Sequence, residues 1–134
     1  MRAILGIALS ILFISSAAGA EQPAPSSFEQ LVEQALRCQA TPEGRAYHYV
    51  VAKAYQSKLS VGLTYCSQLT RETGKDPFQA VLAIQANGKV SQAEVSPQTN
   101  VAKCFRERLL RATFPPPPFA PFYDARNVTF REPE

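Results

Sequence analysis

Three cysteines are the side chains most able to do covalent chemistry in this chain of 134 residues: Cys38, Cys66 and Cys104. In an exported protein, an odd number of cysteines indicates one disulfide and one remaining thiol. The alternative is three buried, reduced thiols that act as small apolar groups. No C-x-x-C spacing is present, so an exposed redox role is not indicated. Spacing alone leaves the pairing open, and Cys38–Cys66 is one of the options.

His48 is the only histidine, and a metal site would need several His, Cys or carboxylate ligands at suitable spacing. His48 and Cys66 could form a base–nucleophile pair, which gives an enzyme with a cysteine nucleophile as one alternative. A surface histidine and a structural cysteine are the simpler interpretation. The chain has no G-x-S-x-G motif and no glycine-rich phosphate loop. We therefore expect no enzyme, no cofactor and no metal site.

A basic cluster on a predicted helix supplies candidates for binding a partner: Lys103, Arg106, Arg108 and Arg111. Such a cluster can meet an acidic protein or anionic headgroups. The alternative is the solvated face of an amphipathic helix. Phe119 and Phe122 are further candidates, because they follow four prolines, and a polyproline run presents an apolar ridge with little entropy left to lose. Alternatively, this run is a crossover whose phenylalanines fill the core.

The first twenty residues have the features of a cleaved secretory signal peptide. Arg2 is followed by an uncharged apolar run over residues 3–14 and by small residues at 18–20. The run is short for a membrane-spanning helix, although an uncleaved anchor is the alternative. No cysteine follows the small residues, so a lipoprotein is not indicated. The predicted location is the periplasm, without stable membrane insertion after cleavage.

Residues 21–134 would form a single periplasmic domain of 114 residues, which is long enough for a modest core. Without Arg2, this part of the chain carries 13 basic and 11 acidic side chains. That imbalance is too small to indicate a nucleic-acid partner.

Residues 26–72 are predicted to be helical. A first helix should begin near Ser26, whose spacing to Glu29 is that of a capping box. Thr41 and Pro42 fit the N-cap and first residue of a second helix. Residues 59–65 alternate like a strand but also fit a helix face, and we favour the helix because no turn signal separates them from the preceding one.

Residues 76–131 are predicted to form a hairpin, a helix and a last strand. Asn87-Gly88 between two apolar runs predicts a two-residue primed turn. A β-bulge near Ser91 would place the apolar residues of the second strand on one side. A third helix should begin at Thr99 or Asn100, and residues 123–130 have the composition of a strand.

This order of elements resembles the TonB C-terminal domain family, and more specifically the TonB-like C-terminal domains called AgmX/PglI. The motifs that carry the resemblance are Val81-Leu82-Ala83-Ile84, Gly88-Lys89-Val90, Ala93-Glu94-Val95, Cys104-Phe105, Leu109, Phe114-Pro115 and Val128-Thr129-Phe130. An earlier cysteine ahead of the hairpin is also typical of those domains, and Tyr65-Cys66 is similar here. The resemblance spans roughly residues 59–130.

The resemblance implies a Cys66–Cys104 disulfide, which leaves Cys38 as the remaining thiol. It also implies that a sheet edge can receive a peptide strand from a partner. The chain lacks the long Pro/Lys-rich linker and the clear membrane anchor that a TonB energy transducer needs. The resemblance therefore implies a periplasmic protein-contact role without energy transduction.

Taken together, the predicted fold class is α+β, with N-terminal helices followed by a three-stranded antiparallel sheet that has helices on one face. The predicted function is a non-enzymatic module that binds another envelope protein, with strand addition at an open sheet edge as the mode. Neutral residues on the predicted solvent face of the hairpin would not oppose that mode: Gln79, Gln85, Ser91 and Gln92. The alternative is a periplasmic inhibitor or immunity protein, and a homodimer is a further option.

Overall fold

An antiparallel sheet and its surrounding helices make up the α+β fold, which confirms the predicted fold class. The computed structural model describes residues 25–70 and 76–130. The predicted signal segment, residues 1–20, lies outside the described residues. The elements in chain order are α1 (Phe28–Ala40), α2 (Pro42–Ala54), a π-helical segment (Tyr55–Leu59), α3 (Ser60–Thr70), β1 (Phe78–Ile84), β2 (Val90–Ser96), α4 (Asn100–Leu110) and β3 (Phe122–Val128).

Side-chain caps fix where the first two helices begin. The Ser27 hydroxyl accepts a hydrogen bond from the Gln30 backbone N–H, and the Gln30 side chain accepts from the Ser27 N–H. This capping box lies one residue later than the one predicted from Ser26 and Glu29. The Thr41 hydroxyl accepts from the Gly44 N–H at 3.0 Å with Pro42 in the first turn, as predicted.

The second and third helices form one continuous helix over residues 42–70, because α2 runs through the π-helical segment into α3. The Ser60 N–H donates to the Tyr55 carbonyl, five residues earlier, which defines the wider turn. The predicted helix over residues 59–65 is therefore confirmed. Buried or half-buried side chains recur at every fourth position along the continuous helix: Tyr47, Val51, Tyr55, Leu59 and Leu63. Since a four-residue step overshoots an α-helical turn by about 40°, the wider turn helps to keep these residues on the core side.

The strands lie in the order β2-β1-β3, with β1 in the centre. The hairpin loop differs from the predicted two-residue turn. The Gly88 N–H donates to the Gln85 carbonyl and the Gln85 N–H to the Lys89 carbonyl, so the loop has three residues. Gly88 follows the turn with a φ of 81°, as in three-residue hairpins that end in a left-handed glycine.

The predicted β-bulge is present, because Ala83 pairs with Gln92 and Ile84 with Val90, which leaves Ser91 as the extra residue.

Both faces of the sheet are covered, whereas the sequence prediction placed the helices on one face. One face carries Phe78, Ala80, Leu82 and Ile84 of β1 and packs against α2 and α4. Val81 and Ala83 point to the other face by the alternation of a strand, and both are buried. Leu31 and Ala35 of α1 are buried as well, and α1 contacts β1 and β3. An apolar helix stripe requires burial without specifying which face of the sheet supplies it, so the sequence left this open.

A bond between α3 and α4 completes the packing. The Cys66 and Cys104 sulfurs lie 2.06 Å apart and their Cα atoms 5.7 Å apart, at disulfide distance, as the resemblance implied. Cys38 is unpaired and buried at the end of α1. After α4, the backbone N–H of Phe114 donates to the Gly88 carbonyl at 2.9 Å, which ties the start of the proline run to the hairpin loop.

Replacing Gly88 with alanine should destabilise the fold by about 1–3 kcal/mol. A Cβ atom at this position would lie 1.9 Å from the Phe114 carbonyl oxygen, on a backbone whose positive φ disfavours side chains. The measurement is urea unfolding followed by circular dichroism. Ala86→Ser in the same loop is the matched control, because Ala86 is exposed, and its effect should stay within about 0.5 kcal/mol. Equal stability of the two variants would contradict the close approach seen at Gly88.

Thiol counting should report one reactive cysteine only after unfolding. Burial raises the pKa of the Cys38 thiol, so native protein should react slowly with a thiol reagent. Unfolding in guanidinium chloride without reductant should expose one thiol per chain, and unfolding with prior reduction should expose three. Three thiols in the unreduced sample would show that Cys66 and Cys104 are not bonded.

Candidate functional site

The outer edge of β2 is blocked by a side chain of α4. The Arg106 Nε donates a hydrogen bond to the Ala93 carbonyl oxygen at 2.7 Å and lies 3.7 Å from Glu94 Oε2. The Ala93 carbonyl faces away from β1, so Arg106 occupies a position where an added strand would pair. A partner strand at this edge would have to displace a charged, hydrogen-bonded guanidinium.

The first half of the β3 edge is also covered. The Tyr123 N–H donates to the Cys38 sulfur at 3.5 Å. This contact places the corner between α1 and α2 beside the start of the strand. Within an antiparallel strand, alternate residues point their backbone groups to the same side, so the Tyr123, Ala125 and Asn127 amides face away from β1.

The second half of β3 borders a groove of about 1120 Å³, which we call the edge groove. One side is the chain from Arg126 to Phe130, and the other is the face of the continuous helix between Ala52 and Gln68. Phe105 of α4 also lines it. Asn127 and Thr129 are exposed. Among the described residues, none forms a hydrogen bond with the outward N–H of Asn127, whereas Arg106 bonds to Ala93 on β2 and Cys38 to Tyr123 at the start of β3.

A buried carboxylate contacts Arg126, which lines the edge groove. Asp124 on β3 is 0% exposed, and its Oδ1 lies 2.6 Å from Nδ1 of His48 on α2. The Arg126 Nε lies 2.9 Å from Asp124 Oδ2, as an ion pair whose angle is not that of a hydrogen bond. The Arg126 guanidinium also donates to the His48 carbonyl oxygen. These contacts fix α2 against β3 and leave the buried charge compensated.

Tyr55 lies under the Arg126 guanidinium and lines the same groove. The guanidinium carbon is 5.2 Å from the Tyr55 ring centroid, within cation–π range. Burial, and then the Asp124 charge, raises the pKa of the Tyr55 phenol well above its ordinary value, although Arg126 acts in the opposite direction. The phenol therefore stays protonated, and its buried oxygen has no hydrogen-bond partner among the described residues.

The sequence-predicted partner residues are distributed over different parts of the surface. Lys103 is exposed, Arg106 is held at the β2 edge, and Arg108 stacks on Tyr65 with its guanidinium carbon 4.3 Å from the ring centroid. Arg111 is exposed at the end of α4.

The two phenylalanine candidates differ in exposure. Phe119 is 39% exposed, whereas Phe122 is 0% exposed and packs edge-on against Tyr47 with centroids 4.8 Å apart. Phe122 thus fills the core, as the alternative interpretation held, and does not contribute to a surface.

Sequence reasoning missed the His48–Asp124–Arg126 cluster. It treated His48 as a surface residue and noted no role for Asp124 or Arg126. The one local signal was the i,i+2 spacing of Asp124 and Arg126, which puts an acid and a base on the same strand face. The partner on α2 is 76 residues away in sequence, and no pattern links the two segments.

The arrangement does not form the cysteine–histidine pair considered from the sequence, because the Cys66 sulfur lies at bonding distance from Cys104. The raised pKa of Cys38, caused mainly by burial, keeps that sulfur as a thiol, which is a poor nucleophile.

Within residues 25–70 and 76–130, no three His, Cys, Asp or Glu side chains are grouped as a metal site would need. No helix in those same ranges is both long and apolar enough to cross a bilayer.

Comparison with known proteins gives no match to any protein family, any functionally characterised protein or any solved structure. The geometry of the two sheet edges and of the edge groove is therefore the basis for assigning a function.

Asp124→Asn should destabilise the protein by about 3–5 kcal/mol, because it leaves the Arg126 cation in a buried site without its counter-ion. Glu33→Gln is the matched control, since it also removes one carboxylate from an ion pair. The Glu33–Arg37 pair is 60% exposed on both sides, so the control should change stability by no more than about 1 kcal/mol. Denaturant unfolding of both variants measures the difference. An Asp124→Asn variant as stable as the control would show that the cluster does not hold α2 to β3.

Proposed function

We propose that this chain is an exported, non-enzymatic protein-interaction module of the cell envelope, which binds an extended segment of another envelope protein by strand addition to β3. The observation that carries the proposal is the edge groove, where an unblocked stretch of edge strand runs beside a helix. An extended peptide placed there could pair with the strand through its backbone and contact the helix through its side chains.

The choice of edge follows from how each edge is treated. Arg106 occupies the β2 edge, and Cys38 occupies the start of the β3 edge. The outward amide of Asn127 has neither kind of contact. An edge strand whose outward backbone groups are unpaired is a template for pairing with another chain.

The lining of the edge groove indicates the kind of segment that it would accept. Apolar side chains from the continuous helix, from α4 and from the chain just after β3 line the groove: Tyr55, Leu59, Leu63, Phe105 and Phe130. Neutral polar side chains lie between them along the helix: Gln56, Ser60, Thr64, Ser67 and Gln68. Because side chains of an added strand alternate, every second residue would face these groups. A segment with apolar residues at alternate positions and few charges fits best.

Two further observations support an envelope location. The first twenty residues have the pattern of a signal peptide. The paired Cys66 and Cys104 sulfurs suit an oxidising compartment. The resemblance to TonB-like C-terminal domains supports the same binding mode, because those domains receive peptide strands at a sheet edge.

Asn127→Pro should weaken partner binding about tenfold, since it removes the outward N–H that an added strand would use, and one such hydrogen bond is worth roughly 1.4 kcal/mol. Asn127→Ala is the matched control, because it removes the same side chain and keeps the N–H. Both variants of residues 21–134 would be tagged and used to capture proteins from a periplasmic extract, without reductant, and the affinity of the captured partner would be measured by calorimetry.

Equal binding by the proline and alanine variants, with unfolding curves like that of the wild type, would refute strand addition at β3. If the partner is an enzyme that loses activity in a one-to-one complex, the inhibitor alternative takes the place of the adaptor.

A further inference from the structure

A second groove lies on the other side of α3, between it and α4, with a volume of about 510 Å³. We call it the interhelical groove. Its apolar surface includes Leu59, Gly62 and Phe114, and its size is within the range of small ligand sites. Cys104 also lines it, so the disulfide lies at the junction of the two helices that form the groove.

The charges around the interhelical groove are unbalanced. Three cations line it, from Lys58, Arg108 and Arg111, against one carboxylate from Glu107. Glu107 lies 3.6 Å from the Arg106 guanidinium, outside this set. Across the part of the chain that the structure describes, no carboxylate lies within 4 Å of Lys58, Arg108 or Arg111. The groove therefore presents an excess of positive charge beside an apolar surface.

Arg108 is held in a defined position by two features of α3. Its guanidinium carbon lies 4.3 Å from the Tyr65 ring centroid. A Cβ atom on Gly62 would lie 2.8 Å from the Arg108 Cδ, so the glycine makes room for the arginine stem against the helix. A guanidinium held in one orientation is suited to a carboxylate, which it can bind with two parallel hydrogen bonds.

We propose that the interhelical groove binds an acidic segment of a partner protein, with carboxylates on Lys58, Arg108 and Arg111 and one apolar side chain between them. The charge imbalance favours an acidic ligand, and the apolar surface favours a peptide over a free anion. A membrane surface fits less well, because the basic residues of α4 do not form one flat patch: Arg106 is directed to the β2 edge and Arg108 lies within the groove. This site does not depend on strand addition at β3.

Fluorescence anisotropy with a labelled acidic peptide tests the proposal directly. The probe is a nonapeptide with a central leucine flanked by glutamates. The control peptide has glutamine in place of every glutamate and so carries no side-chain charge. The wild type should bind the glutamate peptide at least tenfold more tightly than the glutamine peptide, and the affinity should fall as salt is raised. Failure to bind the glutamate peptide would overturn the proposal.

Three variants locate the binding. Lys58→Glu and Arg111→Glu should each weaken binding of the glutamate peptide at least tenfold. Lys103→Glu carries the same charge change on an exposed α4 residue that does not line the groove, and it should stay within twofold of the wild type. An equal loss in all three would mean attraction by overall charge, which overturns the site.

Gly62→Ala separates geometry from charge, because it keeps every charged group and displaces only the Arg108 stem. It should weaken peptide binding several-fold while the unfolding curve stays close to that of the wild type. Unchanged binding would overturn the role assigned to Arg108. Vesicles of anionic phospholipid provide the remaining comparison: if they bind more tightly than the peptide and compete with it, the site is a headgroup site and the proposal fails. None of these results depends on Asn127, so they are separable from the test of strand addition.

Discussion

The pairing of Cys66 with Cys104 is the constraint on which both grooves depend. The helix α3 forms one side of the edge groove and one side of the interhelical groove, and it contacts α4, with which it shares the bond. The bond closes a sequence separation of 38 residues, which corresponds to roughly 3–4 kcal/mol in the chain-entropy account of disulfides. Reduction would leave α3 held by the continuity of the helix and by its remaining contacts with α4. The geometry of both grooves is therefore linked to the redox state of the compartment.

At the other end of the continuous helix, polar contacts hold α2 against β3 and the proline run. Asp124 is fully buried between His48 and Arg126, and the Tyr47 hydroxyl donates to the Pro115 carbonyl at 2.5 Å. Burial, and then the Asp124 charge, raises the pKa of Tyr47 to about 12, so this donor keeps its proton at neutral pH. The helix is thus fixed by directional bonds at α2 and by a covalent bond at α3. The edge groove lies alongside this helix, and the Arg126 guanidinium over the Tyr55 ring connects its two sides.

Local features were predictable from the sequence, and features that depend on distant segments were not. The Thr41–Pro42 helix start and the bulge at Ser91 each follow from a few neighbouring residues, and both are present. The loop around Gly88 was assigned one residue too short, because Asn-Gly fits a primed turn as well as a turn with a following glycine. The covering of the second sheet face by α1 and the contact of His48 with Asp124 depend on which segments meet, and apolar periodicity carries no such information. The resemblance to TonB-like domains contributed the cysteine pairing, which spacing alone had left open.

The π-helical segment has a consequence for how this sequence can change over evolutionary time. The Ser60 N–H closes its bond on the Tyr55 carbonyl five residues earlier, so this turn holds about one residue more than an α-helical turn. Deleting one residue from Tyr55–Leu59 would therefore restore an α-helical turn and leave Cys66 facing Cys104. Deleting a residue from the α-helical part between Ser60 and Cys66 would instead rotate Cys66 by about 100° around the axis, away from its partner. The segment is therefore the place along this helix where the chain can lose one residue and keep the disulfide.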